Sequence, residues 1–329
     1  MENFLFVCLF LTAATYFCGN IYIFLWQNVI KDGDSIPTGF GFLLPFIPIV
    51  FYSLNIGIWK ESILSFWVIF IAGLIYAIDD FIGLRPSTRI SIAFFFGAML
   101  FWTTLPAYDF ISLELFLLFI LFGFISIVLT NVINFYDGAD LNLASVVFLT
   151  GLILVIFSDV NFLIFKNIGW ILIAFSFGFG LINRVPLSLY LGDSGCFVIA
   201  LIFLYFLSNY IHGINHPPEE LIIILALPCF DVFYVMLIRL KNKHNMLSRN
   251  YLHLYQRIRI RFGGFVHTFP QIINVLGILI ISNYIDLNMD KIWEILVLSI
   301  SFTPIFYILC RFFFVEKNYF FDDGKSIER

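Results

Sequence analysis

Apolar residues fall along this chain in long uninterrupted blocks, separated by short polar connections. Eleven blocks can be drawn, at roughly 3–26, 40–58, 61–78, 90–105, 110–130, 142–158, 166–183, 194–211, 219–238, 270–284 and 292–314. A helix needs about 20 apolar residues to cross the hydrocarbon of a bilayer. The fourth and tenth blocks are short for that task. The pattern predicts an all-α, polytopic membrane protein of about eleven transmembrane helices, with ten as the lower count. No internal repeat or low-complexity linker interrupts it, so residues 1–329 read as a single integral membrane domain. The first block lacks a basic leader and a convincing small-residue cleavage site, and is expected to be a retained helix.

With eleven spans, the connections alternate sides. One side receives 27–39, 79–89, 131–141, 184–193, 239–269 and the tail 315–329. Of the 18 basic residues, only Lys60, Lys166 and Lys291 fall on the other side. The excess of Lys and Arg makes the first side cytoplasmic, with the N-terminus outside and the C-terminus inside.

Composition agrees. The chain is 61% hydrophobic and 12% charged, whereas soluble domains run at roughly 45–50% apolar and 25% charged. The lipid bilayer is therefore an expected partner. The 44 Phe and 15 Tyr suit lipid-facing and interfacial positions. A net charge of −4 with no long acidic or basic tail gives no reason to expect a nucleic-acid partner. Cys8, Cys18, Cys196, Cys229 and Cys310 lie in or beside apolar blocks without metal-ligand spacing. They read as small buried hydrophobes outside any disulfide framework.

The polar clusters all fall on the cytoplasmic side. Asp79 and Asp80 end the third block. Adjacent carboxylates repel unless a cation or proton lies between them, and one can ligate Mg²⁺ beside a neighbour that acts as a base. NVINFYDGAD supplies Asn131, Asn134, Asp137, Gly138 and Asp140. On a continuing helix the two asparagines share a face, and the set suits a hard cation or the edge of a nucleotide. YLGDSGC places Asp193 between Gly192 and Gly195 at the start of the eighth block, where an acid can cap the helix and still face a ligand. Residues 239–261 form a basic loop with His244 and His253, suited to anionic headgroups or a diphosphate. Each cluster alone is also what a capped helix end or a solvated turn would present. Together they imply Mg²⁺-dependent phosphoryl or phosphosugar transfer, with one substrate in lipid and one in cytosol.

The ordered set PTGFG at 37–41, IDDFIGL at 78–84, NVINFYDGAD at 131–140, LGDSG at 191–195, PCFD at 228–231 and HLYQR at 253–257 resembles a known family. It is similar to the polyprenyl-phosphate N-acetylhexosamine-1-phosphate transferases of glycosyltransferase family 4, which include MraY and WecA. The HLYQR form looks like the branch that initiates O-antigen or capsule chains, often from UDP-linked 6-deoxy sugars such as FucNAc or QuiNAc, so the implied donor is UDP-GlcNAc or such a 6-deoxy relative. The resemblance implies that undecaprenyl phosphate attacks the β-phosphate of a UDP-N-acetylhexosamine and that UMP leaves. It implies Mg²⁺, with Mn²⁺ as an alternative, held by Asn134 and Asp193. Asp79 would be the base or a substrate-orienting carboxylate, with Asp80 beside it. Asn131, Asp137, Asp140, Asn183, Gly192, His253 and Arg257 would bind substrate. The implied setting is the bacterial inner membrane, with a homodimer as an option.

Several positions depart from the family pattern. Pro37 to Gly41 lacks an Arg that relatives commonly place among the glycines. Leu141 stands where many have Gly, and Cys196 where Ser is usual. Tyr255 and Gln256 replace histidines, and Asn250 replaces an acid. These changes bear on the choice of sugar more than on the chemistry. A transporter or flippase would place its ionisable groups near the bilayer midplane, in broken helices. A CDP-alcohol phosphatidyltransferase would carry a dense acidic helix motif. Here the polar clusters sit at block ends on one side, which counts against the first of these alternatives, and the dense acidic motif of the second is missing.

Overall fold

The computed structural model describes residues 2–30, 36–53, 62–105, 112–159, 163–184, 189–213, 217–243, 252–285, 287 and 289–315. Among these, every regular element is helical. The helices are α1 (Glu2–Leu25), α2 (Leu43–Ser53), α3 (Ile63–Ile82), α4 (Pro86–Thr103), α5 (Leu113–Tyr136), α6 (Asn142–Phe157), α7 (Leu163–Ile182), α8 (Gly192–His212), α9 (Leu221–Lys241), α10 (Leu254–Phe262), α11 (Phe269–Tyr284) and α12 (Lys291–Phe314).

Each of the eleven predicted blocks coincides with one helix, and α10 is the addition. Among the described residues, eight helices are long and apolar enough to cross a membrane. Two of the remaining three, α2 with the turn before it and α6, are shorter apolar helices. The third, α4, carries Arg89 in an opening rich in Ser, Thr and Arg. Large apolar side chains such as Phe10, Phe17 and Phe24 on α1, and Phe312 and Phe313 on α12, stand more than half exposed. Contiguous apolar surface of this kind suits lipid rather than water. The description of all five cysteines as buried needs correction. Cys18 is exposed on α1 beside Phe17, and Cys8 and Cys229 are half-buried.

The chain packs as two compact units. The first comprises Met1–Asp137 and Thr150–Pro218, the second Gly138–Leu149 and Glu219–Arg329. In the first, α8 is the most enclosed helix, with fifteen buried residues from Ser194 to Asn209. It packs against α3, α4 and α5. Glycines set the closest approaches. A Cβ on Gly97 of α4 would lie 2.3 Å from the Ser126 Cβ of α5, so only glycine allows that spacing. In the second unit, α9, α11 and α12 pack together, and α10 lies against α12. Leu227, Leu254, Ile258, Tyr307, Cys310 and Val315 form its core.

Helix ends decide where polar groups meet. Gly83, at φ 72°, stops α3 by a left-handed turn whose N–H bonds the Asp79 carbonyl. Pro86 then opens α4 at a position where a missing N–H costs nothing. The chain thus turns back within four residues of the Asp79–Asp80 pair.

Candidate active site

Asp79 and Asp80 lie inside α3, in its last two turns, rather than in the following connection. Helix geometry sends adjacent side chains in different directions, and the two carboxylates have different partners. Asp79 is 1% exposed. Its Oδ2 is 2.6 Å from Arg89 Nε, and its Oδ1 accepts from Arg89 Nη2 at 3.1 Å and from the Leu84 amide at 2.5 Å. Asp80 reaches across to α8 and accepts the amides of Asp193 at 3.1 Å and Ser194 at 3.3 Å. Leu191, at the N-cap of α8, has no side chain to satisfy those first amides. The carboxylate of a neighbouring helix does so instead, at the positive end of the helix dipole.

Arg89 joins the two halves of the site. Its Nη1 donates to Asp193 Oδ2 at 2.7 Å, while its Nε and Nη2 hold Asp79. Asn134 Nδ2 donates to the other Asp193 oxygen, Oδ1, at 3.0 Å. Side chains from α3, α4, α5 and α8 therefore form one chain, Asp79–Arg89–Asp193–Asn134. Asn131, one turn before Asn134, bonds back to the Ile127 carbonyl.

Asp137 follows the end of α5 and is half-buried, its carboxyl 3.6 Å from the Cys196 thiol. Burial pushes this carboxyl well above the usual carboxylate range. The charges of Asp193 and Asp80 push it the same way, and the thiol's hydrogen bond opposes them. The Cys196 thiol is thus a donor that reaches Asp137.

The PTGFG segment packs against the start of α8. The Tyr190 amide donates to the Pro37 carbonyl at 2.9 Å and the Gly41 amide to the Leu191 carbonyl at 3.3 Å. Gly192 has φ 73°, and a Cβ there would lie 2.5 Å from Asp80 Oδ2 and 2.6 Å from the Gly39 amide nitrogen. A Cβ on Gly41 would lie 2.1 Å from the Gly195 Cα. These glycines let two backbone segments close round the Asp80 carboxylate. Asn183 is buried and donates from Nδ2 to the Leu189 carbonyl at 2.7 Å, tying the end of α7 to the residues just before α8.

The second unit holds the remaining predicted residues. Asp140 pairs with Arg259 at 2.8 Å, and its carbonyl lies 2.8 Å from His267 Nε2. Gly138 packs so closely on Tyr255 that a Cβ would lie 2.2 Å from the Tyr255 hydroxyl. His253 and Arg257 are buried at the start of α10, and His253 Nδ1 lies 3.0 Å from Asp231 Oδ2. His244, Arg249 and Asn250 of the basic loop lie outside the described residues.

The sequence motifs single out neither Arg89 nor Tyr307 and Arg311 as site residues. Arg89 had a weak signal, a cation one turn into the helix after a carboxylate pair. Asp231 and Arg311 had a stronger one, being charges inside otherwise apolar runs.

Comparison with curated proteins finds no match to the chain. Residues 62–211, the stretch carrying Asp79, Asp80, Arg89, Asn134, Asp137, Asn183 and Asp193, match the model of glycosyl transferase family 4, which supports a transferase set in a membrane by apolar helices.

Proposed function

We propose that this protein transfers an N-acetylhexosamine-1-phosphate from a UDP-sugar to undecaprenyl phosphate at the cytoplasmic face of a bacterial inner membrane. UMP is released and a cell-surface polysaccharide is begun. The observation that carries this reading is the Asp79–Arg89–Asp193–Asn134 chain, drawn from four helices within the matched segment.

An oxygen of the lipid phosphate attacks the β-phosphorus of the donor. The bond from that phosphorus to the oxygen shared with the α-phosphate breaks, and its electron pair leaves with UMP. Arg89 is already bonded to the carboxylates of Asp79 and Asp193, so an incoming diphosphate needs further positive charge. Among the described residues no three His, Cys, Asp or Glu side chains converge as a ready metal cage. Mg²⁺ does not need one, because it binds through one or two carboxylates plus substrate phosphates and keeps several waters. Asp193 and Asn134, the latter with its amide turned to present oxygen, would hold Mg²⁺ or Mn²⁺. Such a cation offsets the diphosphate charge and stabilises departing UMP.

The acceptor phosphate is already an anion, and Asp79 is held on both oxygens. This supports an orienting role for Asp79 rather than proton removal. Asp80 sets the start of α8 and with it the direction of Asp193. Asn131, Asp137 and Gly192 would line the donor site. Asp140, His253 and Arg257 would contribute contacts to phosphate, sugar or uridine. Asn183 would act by holding Leu189, just before α8.

The test is UMP release by purified protein in detergent, with undecaprenyl phosphate, Mg²⁺ and a panel of UDP-N-acetylhexosamines including GlcNAc, FucNAc and QuiNAc. Release that requires lipid, metal and an intact Asp193, and is lost in Asp193→Ala, is the expected result. Folded protein that releases no UMP from any donor would count against the reading.

A further inference from the structure

The second unit contains a buried polar chain whose members come from α9 and α12 and end on the histidine just before α10. Asp231, on α9, is 1% exposed, and Arg311, on α12, is fully buried. Tyr307, one turn before Arg311, bridges them. Arg311 Nη1 donates to the Tyr307 hydroxyl at 2.8 Å, and that hydroxyl donates to Asp231 Oδ1 at 2.6 Å. The other oxygen of Asp231 faces His253 Nδ1 at 3.0 Å.

The same groups also hold the backbone on both sides of that histidine. Arg311 Nη2 donates to the Leu252 carbonyl at 3.0 Å, and the Leu254 amide donates to Asp231 Oδ1 at 3.0 Å. Three successive residues, Leu252, His253 and Leu254, are each tied to the network. Fastening α10 to the bundle would need only the backbone bonds. The carboxylate set against Nδ1 adds a constraint on the ring itself, because an ionised carboxylate only accepts. The ring proton must then sit on Nδ1 when the imidazole is neutral, which leaves the lone pair on Nε2.

We propose that Asp231, Tyr307 and Arg311 are positioning residues that fix the orientation and tautomer of His253, making Nε2 its working atom toward a sugar or phosphate group of the substrate. This deepens the proposed transfer reaction and rests on it for the role of His253, though not for the tautomer. Arg311 supplies the charge that balances Asp231. Tyr307 keeps that charge one hydroxyl away, so Asp231 remains an acceptor for the histidine instead of closing on the guanidinium.

The decisive variant is Asp231→Asn, which keeps the shape and reverses one hydrogen bond. Its amide oxygen can still accept from Leu254 and Tyr307, but its NH₂ must donate to Nδ1, moving the ring proton to Nε2. Two readouts are needed. In full-length protein labelled with ¹⁵N-histidine, with His253→Gln assigning the resonance, the parent should show Nδ1–H and Asp231→Asn should show Nε2–H. In the UMP-release assay, kcat/KM of Asp231→Asn should fall on the order of 100-fold, as when a supporting carboxylate is lost behind a functional histidine. Tyr307→Phe should keep the parent tautomer and lose less.

An Nε2–H tautomer in the parent would overturn the proposal. So would a folded Asp231→Asn protein with activity within about threefold of the parent, since that is what a merely structural carboxylate predicts. If Asp231→Asn does not fold, the parent and Tyr307→Phe spectra decide the matter. If the parent turns over no donor, the transferase reading fails while the tautomer result still stands on its own.

Discussion

Arg89 Nε lies 2.6 Å from Asp79 Oδ2 and Arg89 Nη1 lies 2.7 Å from Asp193 Oδ2, so one guanidinium bonds carboxylates of two helices. Its two partners are unequal. The Asp79 side chain is fully buried, whereas Asp193 keeps 23% of its side-chain surface. Removing Arg89 therefore leaves Asp79 as an uncompensated buried charge, while Asp193 can turn to solvent or to a cation. Arg89→Gln should cost roughly 2–4 kcal/mol of stability, somewhat under the cost of breaking a wholly buried pair because Arg89 is itself about one-third exposed. Adding Asp79→Asn should restore most of the loss, and adding Asp193→Asn should restore little. Thermal unfolding in detergent of the three proteins checks this. Equal rescue by either second change would mean that the two carboxylates are equivalent.

The sequence made much of this site legible, because carboxylates at the ends of apolar blocks are conspicuous. It also placed eleven helices, since long apolar runs admit little else in lipid. It could not show that Asp79 and Asp80 part company, one to Arg89 and one to α8, because that depends on the angle at which α3 meets its neighbours. Nor could it show that Asp137 and Asp140, three residues apart, belong to different units. Helix α10 was missed for a simpler reason. It is nine residues long and rich in arginine, so it is too short and too charged to read as an apolar block.

Gly192 and Gly213 both have positive φ, 73° and 63°, yet they should respond differently to alanine. At Gly213 the added Cβ meets nothing within 4 Å, so the cost is the backbone strain alone, about 1 kcal/mol. At Gly192 the same strain is joined by overlap with Asp80 Oδ2 and the Gly39 amide. Gly192→Ala should lose about 3 kcal/mol. It should also displace Asp80 from the first amides of α8, abolishing UMP release even well below its melting temperature. A Gly192→Ala protein with activity like Gly213→Ala would show that the Asp80 cap is not needed for turnover.

Leu141 adopts φ 64°, a conformation that favours glycine. A side chain in this region carries a local strain of about 1–2 kcal/mol. Leu141→Gly trades that strain against lost side-chain burial and should leave stability within about 1 kcal/mol of the parent. Leu141→Val should be less stable than both, because a β-branched residue is poorer still at positive φ. Unfolding temperatures of the three proteins give the order directly. A Val variant as stable as the parent would place Leu141 outside the left-handed region.

Asp137 gives a pH signature whose sign is fixed by the direction of its shift. Its carboxyl lies well above its ordinary 3.8, chiefly because it is buried, with Asp193 and Asp80 adding repulsion. The folded protein therefore keeps a proton that the unfolded chain has already lost. Stability from this group is fully present below the ordinary carboxylate range and declines as pH rises toward the raised value. Asp137→Asn removes the titration and keeps an acceptor for the Cys196 thiol. Without metal, the variant should be more stable than the parent near pH 8. Its advantage should shrink steadily as the pH is lowered toward about 4. Added Mg²⁺ should also narrow the advantage at pH 8, because positive charge beside Asp193 favours the ionised form of its neighbours. Melting temperatures across pH, with EDTA and with Mg²⁺, measure both effects. An advantage that grew as the pH fell would mean that Asp137 is held ionised in the folded protein, and would reverse the account given of its surroundings.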